Sequence, residues 1–166
     1  DLSKREPHEQ PLAIEIKTDT GWEMIGNCSL QKFDWITRCA EAGIFIGNKA
    51  HWGKGFGSEA MKLLLQFGFN RLNLNRIYLH VFETNPRAIR SYEKVGFKLE
   101  GRLRQDFYKN GQYKQAVTRG DGTQGDDVTQ NVSTIRSHRK KLSKPSLDAF
   151  EIRGEIFIHR AGFEKL

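Results

Sequence analysis

The chain has 166 residues, 37% of them hydrophobic, with eleven Phe, three Trp and a formal net charge of +7. That length suits one domain with a small appendage, and a chain of this size buries about two thirds of its unfolded surface. No run of about 18 apolar residues occurs, which excludes a membrane-spanning helix. Its two cysteines, Cys28 and Cys39, exclude a disulfide framework or a zinc site, and no metal site is expected.

Residues Asp1 to Gln10 are polar and hold nothing like a signal peptide. With reduced thiols, that fits a cytoplasmic protein. The positive balance suits a coenzyme with several phosphates as well as it suits nucleic acid.

Leu12, Ile14 and Ile16 alternate with polar neighbours and predict a strand. Asp19-Thr20-Gly21 turns the chain, and Met24 to Leu30 returns as a second strand. Ala42 to Ile46 is a third, apolar enough to lie centrally. The segment His51-Trp52-Gly53-Lys54-Gly55-Phe56-Gly57 precedes a helix from about Ser58 to Arg71, apolar on most faces and therefore deeply packed. Asn75 to Phe82 predicts a strand with Ile77, Leu79 and Val81 on one side.

A second helix is punctuated by Asn85 as N-cap, Pro86 at the first helical position and Gly96 as terminator. Phe97 to Tyr108 is extended, Lys109-Asn110-Gly111 signals a hairpin, and Gln112 to Arg119 returns. Beyond Arg119 come a glycine-rich loop, a short helix around Val128, Val132 and Ile135 capped by Asp126 or Asp127, and a basic run from Arg136 to Lys144. One further strand runs from Phe150 to Ile158.

A strand, a glycine-rich turn and a helix together make an anion site. The free N–H groups of the helix start converge there, and the dipole adds about half a positive charge. Gly53, Gly55 and Gly57, with Lys54 among them, allow a diphosphate to approach the backbone. The same spacing also fits a plain strand-to-helix turn, and it lacks the Lys-Ser/Thr ending of a P-loop.

The run His51 to Ala60, reading HWGKGFGSEA, resembles the acetyl-CoA signature of GNAT acetyltransferases, with Trp52 in its first position. Asn85-Pro86 and then Ser91 to Phe97 follow in order and resemble the family's second signature. The resemblance covers about residues 11–114 and is nearest the ribosomal-protein N-acetyltransferase-like branch. It implies an α/β (α+β) fold, a mixed and mostly antiparallel sheet with packed helices.

It also implies a site. Backbone at Phe45 and Ile46 would pair with the pantetheine arm, and Gly53, Lys54, Gly55, Phe56, Gly57 and Ser58 would hold the phosphates. Asn85 would orient the pantetheine, Tyr92 would protonate the departing thiolate, and Glu41 would relay a proton from the amine. Asn85 as a simple cap, Tyr92 as a core aromatic and Glu41 as a solvated strand-end charge are the plainer alternatives. Family members begin with a strand and helices that form one wall of the acceptor site, where this chain has ten polar residues.

The blocks AVTRGDGTQGDDVTQNVSTIRS and FEIRGEIFIHRAGFEKL resemble the adenylation domain of NAD-dependent DNA ligases. That resemblance covers residues 115–166 and implies that Arg119 and Glu155 contact an adenylate. The family's nucleophilic lysine, in a Lys-x-Asp-Gly motif about twenty residues before Arg119, is not found, so ligation is not expected. A chimera is the reading, with 1–114 binding acetyl-CoA and 115–166 completing its sheet.

The expected function is acetyl transfer from acetyl-CoA to an amine, either a protein N-terminus or a small amine, in a chain that could form a homo-oligomer. The alternatives are a catalytically inactive chimera and a nucleotide- or DNA-binding ligase remnant. The basic run lacks interleaved aromatics, so nucleic acid is not the expected partner.

Overall fold

The computed structural model of the chain describes residues 11–120, 149–152 and 156–160. Its strands are β1 (Leu12–Thr18), β2 (Gly21–Asp34), β3 (Cys39–Ile46), β4 (Arg76–Phe82), β5 (Lys98–Lys109), β6 (Gln112–Gly120), β7 (Ala149–Ile152) and β8 (Ile156–Arg160). Its helices are α1 (Phe56–Asn70) and α2 (Pro86–Val95). The strands form one sheet in the order β5-β6-β4-β3-β2-β1-β8-β7. Every neighbouring pair is antiparallel except β3 with β4. This is the mixed, mostly antiparallel sheet with packed helices that the sequence implies.

Short polar side chains set the reversals. Thr18 Oγ1 donates to the Gly21 carbonyl at 2.9 Å and closes the β1–β2 turn. Asp34 Oδ1 accepts from the amides of Ile36 (2.9 Å) and Thr37 (3.1 Å) and turns β2 into β3. Asn110 and Gly111 both take positive φ, 54° and 74°, the pair of a tight hairpin turn.

Period-two alternation turns Ile14, Leu30, Ala40, Ile77 and Leu79 to one face, each no more than 1% exposed. Helix α1 lies on that face and buries Ala60, Met61, Leu63 and Leu64 against it. Gly68 allows the close approach, since a methyl group there would meet the Cδ1 atoms of Leu30 and Leu74 at 3.1 and 3.2 Å.

Two boundaries differ from the sequence reading. Helix α1 starts at Phe56 rather than Ser58, because Gly55, at φ +94°, begins it without a side-chain cap. Residues 150–158 are not one strand. Strands β7 and β8 pair antiparallel from Ala149↔His159 to Ile152↔Ile156, so the chain reverses between them. The apolar alternation runs on through this stretch and hides the reversal, which only Gly154 hints at.

Strand β8 lies against β1, from Leu12↔Arg160 to Ile16↔Ile156. The segment Ala116–Arg119 sits inside β6, between β4 and β5. The expected helix around Val128 to Ile135, its caps Asp126 and Asp127, the basic run to Lys144, and Glu155 lie outside the described residues.

Candidate active site

Strands β3 and β4 are paired only at Cys39↔Arg76, Ala40↔Ile77 and Glu41↔Tyr78. Past that rung β3 follows β2 as far as Ile46, and β4 follows β6 as far as Phe82. The two parallel strands therefore part, and a notch opens at their C-terminal ends. Helix α1 begins after β3 and helix α2 after β4, so both helix starts stand at its mouth.

The two starts differ in one respect that matters. Asn85 Oδ1 accepts from the Ala88 amide at 3.2 Å, so α2 is capped by its own side chain. Helix α1 has no side-chain cap. Its first amides, at Phe56, Gly57 and Ser58, have no partner one turn back, because the helical ladder starts with Glu59 N–H to Gly55 O at 3.0 Å. A Cβ at Gly53, Gly55 or Gly57 would meet nothing within 4 Å, so the space before these amides is open. Lys54 is exposed beside them, and Ser58 turns its hydroxyl 3.5 Å from the Ser91 carbonyl of α2.

One side chain spans the mouth. Trp52 Nε1 donates to the Ile46 carbonyl at 3.0 Å, and the Arg87 guanidinium of α2 lies 3.4 Å over its ring. A contact of this kind contributes about 0.5–2 kcal/mol. It ties the end of β3 to the first turn of α2.

The ladder fixes which backbone groups face the notch. Gly47 N–H donates to Ile25 O at 2.9 Å, so alternation aims the Phe45 amide and carbonyl at β2. The same alternation turns those of Ile44 and Ile46 towards the notch. The Ile46 carbonyl is taken by Trp52, which leaves the Ile46 N–H and both groups of Ile44. The sequence reading named Phe45 and Ile46; the ladder turns Phe45 towards β2 and Ile44 and Ile46 towards the notch.

Tyr92 lies on the inner face of α2 with Ala88, Ile89 and Val95, packed on the core beside α1. Its ring meets Phe97 edge-on, with centroids 6.0 Å apart. Burial pushes its phenol above the ordinary value. The Cys28 thiol is pushed up to about 12 by burial and is no nucleophile.

Glu41 lies between Ala40 and Ala42, which point to α1, so its carboxylate faces the opposite side of the sheet. It is 8% exposed. Its Oε1 is 3.1 Å from His80 Nδ1 and its Oε2 is 2.7 Å from Lys32 Nζ. Burial raises its pKa, but the Lys32 and His80 contacts outweigh that and hold the carboxyl below its ordinary value. A depressed carboxyl adds stability that is full above the unfolded-state value, about 4.3, and is lost as pH falls through the folded one. Glu41→Gln should therefore narrow the gap between melting midpoints at about pH 5 and about pH 3, as followed by circular dichroism. An unchanged gap would mean that the contacts with Lys32 and His80 contribute nothing. Among the described residues no group of three or more His, Cys, Asp or Glu is placed to hold a metal ion.

Residues 2–98 match the acetyltransferase (GNAT) domain. The chain belongs to the GNAT acetyltransferase family. Residues 59–166 match the NAD-dependent DNA ligase adenylation domain, so this GNAT chain belongs to that family as well. The chain is 36% identical over 114 residues to spermidine N(1)-acetyltransferase of Vibrio cholerae, covering 69% of this chain and 65% of that protein. It is 40% identical over 117 residues to the Escherichia coli K12 enzyme of that name, covering 70% and 62%.

The chain is also 33% identical over 156 residues to a DNA ligase of Acinetobacter baumannii, covering 91% of this chain and 20% of the ligase. It thus spans less than two thirds of each of these relatives. Among solved structures, V. cholerae spermidine N-acetyltransferase in complex with CoA and spermine gives a TM-score of 0.56 at 39% identity, covering 59% of this chain and 57% of that one. A dodecameric structure of the same enzyme gives the same TM-score and identity.

The ligase match reaches back to residue 59, well ahead of the sequence reading's boundary at 115. Within it stands Lys98-Leu99-Glu100-Gly101, about twenty positions before Arg119, with Glu where the ligase motif has Asp. That one substitution hid it. In this GNAT fold Leu99 and Arg119 are register partners in β5 and β6. The Glu100 carboxylate is paired with Arg76 of β4. Arg119 is 7% exposed, and its Nη1 lies 3.1 Å from Glu93 of α2. These side chains link elements of the fold to one another.

Proposed function

We propose that this chain binds acetyl-CoA in the β3–β4 notch and transfers the acetyl group to an amine. The observation that carries the reading is the uncapped start of α1, open before Gly53, Gly55 and Gly57, beside a strand edge with unpaired backbone groups. The amides of Phe56, Gly57 and Ser58 and the helix dipole hold the diphosphate, with Lys54 adding charge at the rim. Ile44 and Ile46 offer main-chain groups to the amides of the pantetheine arm, which adds to β3 as a short strand would. The side-chain amide nitrogen of Asn85 is the group left over from its capping role.

The amine then attacks the thioester carbonyl from the far side of the sheet. The C–N bond forms, the C–S bond breaks, and the departing thiolate takes a proton from Tyr92, whose phenolate is re-protonated as the new amide nitrogen sheds its remaining extra proton. Glu41 belongs to the group that removes the proton from the amine. The acceptor class is a small primary amine, as the spermidine-acetylating relatives suggest, and spermidine is the first to assay. Assembly into a homo-oligomer, as in the dodecameric relative, belongs to the same reading.

Acetyl-CoA at a hundred times its dissociation constant should stabilise the chain by about 2.7 kcal/mol in a thermal melt, and NAD should not. Free thiol should then appear only when spermidine is added. Stabilisation by NAD and not by acetyl-CoA would replace this reading with a nucleotide-binding one.

A further inference from the structure

We infer that His80 is the base that takes the proton from the acceptor amine, and that Glu41 is the positioning residue that orients it. This rests on the proposed acetyl transfer. In β4, Leu79 and Val81 are buried on the α1 face, so His80 turns to the other face with Tyr78. The last rung between β3 and β4 is Glu41↔Tyr78. His80 is the next residue of β4 on that face, so it stands where the strands begin to part. The coenzyme enters from the helix side, and this position faces the side from which an acceptor arrives.

The imidazole is held for one role. Its Nδ1 is 3.1 Å from Glu41 Oε1, and an ionised carboxylate can only accept, so Nδ1 carries the proton and Nε2 keeps its lone pair. Tyr78 packs edge-on against the ring, with centroids 5.7 Å apart. The His80 side chain is 32% exposed and Glu41 only 11%, with both carboxylate oxygens already engaged. A buried carboxylate committed to a lysine and an imidazole is a poor direct base for an ammonium group, and the more open Nε2 is a better one.

The charged and titratable groups on this side are Lys32 from β2, Glu41 from β3, Tyr78 beside His80, and the Arg76–Glu100 pair, whose guanidinium lies over the Tyr78 ring. Asp106 acts on Lys32, and β6 offers Thr118 opposite His80. In the step, an N–H proton of the acceptor ammonium passes to Nε2 and the freed lone pair attacks the acetyl carbonyl. Glu41 stabilises the imidazolium, which returns its proton to water.

The test is kcat and KM for spermidine, measured with the acetyl-CoA dissociation constant and the melting midpoint for each variant. His80→Gln should lower kcat/KM about 100-fold and leave coenzyme affinity within about twofold. His80→Asn, which retains a donor for Glu41 but no base, should do the same. Glu41→Gln should lower kcat about tenfold and leave the KM for spermidine within about twofold, while Glu41→Asp, which keeps a carboxylate for Nδ1–H, should recover part of the loss. If both His80 variants hold kcat/KM within about threefold, or if Glu41→Gln leaves kcat unchanged, the assignment is wrong and the acetyltransferase reading stands. A wild-type chain that binds no acetyl-CoA overturns both.

Discussion

Replacing Gly55 by Asp is expected to abolish acetyl-CoA binding while leaving the fold in place. The backbone at Gly55 has φ +94°, a conformation that costs a residue with a side chain about 1–2 kcal/mol, least for Asn and Asp. No atom lies within 4 Å of where its Cβ would be, so the added side chain meets no steric barrier. The new carboxylate stands in front of the Phe56, Gly57 and Ser58 amides, where the diphosphate would sit, and answers the same dipole.

Gly55→Ala separates the two effects, since it brings the backbone cost and no charge. The alanine variant should lose about 1 kcal/mol of stability and less than tenfold in coenzyme affinity. The aspartate variant should lose at least about a hundredfold, or about 2.7 kcal/mol, by titration calorimetry. Affinity within about threefold of wild type in the aspartate variant would place the diphosphate somewhere other than the start of α1.

The elements easiest to see in the sequence are those whose backbone demands particular residue types. Asn85-Pro86 and Gly96 bound α2 because a cap needs a short acceptor and a left-handed terminator needs a residue without Cβ. The alternation of Leu12, Ile14 and Ile16 showed β1 for a comparable reason. The split of residues 149–160 into β7 and β8 was hidden, because a hairpin whose strands alternate in phase reads as one long strand. The start of α1 was misplaced by two residues because Gly55 begins it through φ, with no capping side chain to mark the boundary.

The site divides along the same line. The glycine loop shows in sequence because open space before an uncapped helix start requires small residues there. The wall of the notch depends on the phase of the β2–β3 ladder, and in the apolar run Ile44-Phe45-Ile46 nothing in composition fixes which carbonyls point outwards. The Glu41–His80 pair joins residues 39 positions apart through the β3–β4 pairing, and the Trp52–Arg87 stack likewise joins a loop to a helix. Both are products of register, and register is set by the fold as a whole.

Tyr92→Phe should lower kcat for acetyl transfer by about a thousandfold and change little else. Phenylalanine keeps the ring against Phe97 and the core, so the melting midpoint should move by only a degree or two, and the acetyl-CoA dissociation constant should stay within about twofold. What is lost is the hydroxyl. Burial raises the phenol above its ordinary value of about 10, so the proton is in place throughout the neutral range, and in the proposed mechanism it passes to the thiolate as the C–S bond breaks. A tyrosine that serves only to pack would give the opposite pattern, with kcat within about threefold of wild type. The two roles place the same ring against the same neighbours, so kcat in this one variant distinguishes an acid from a wall of the core.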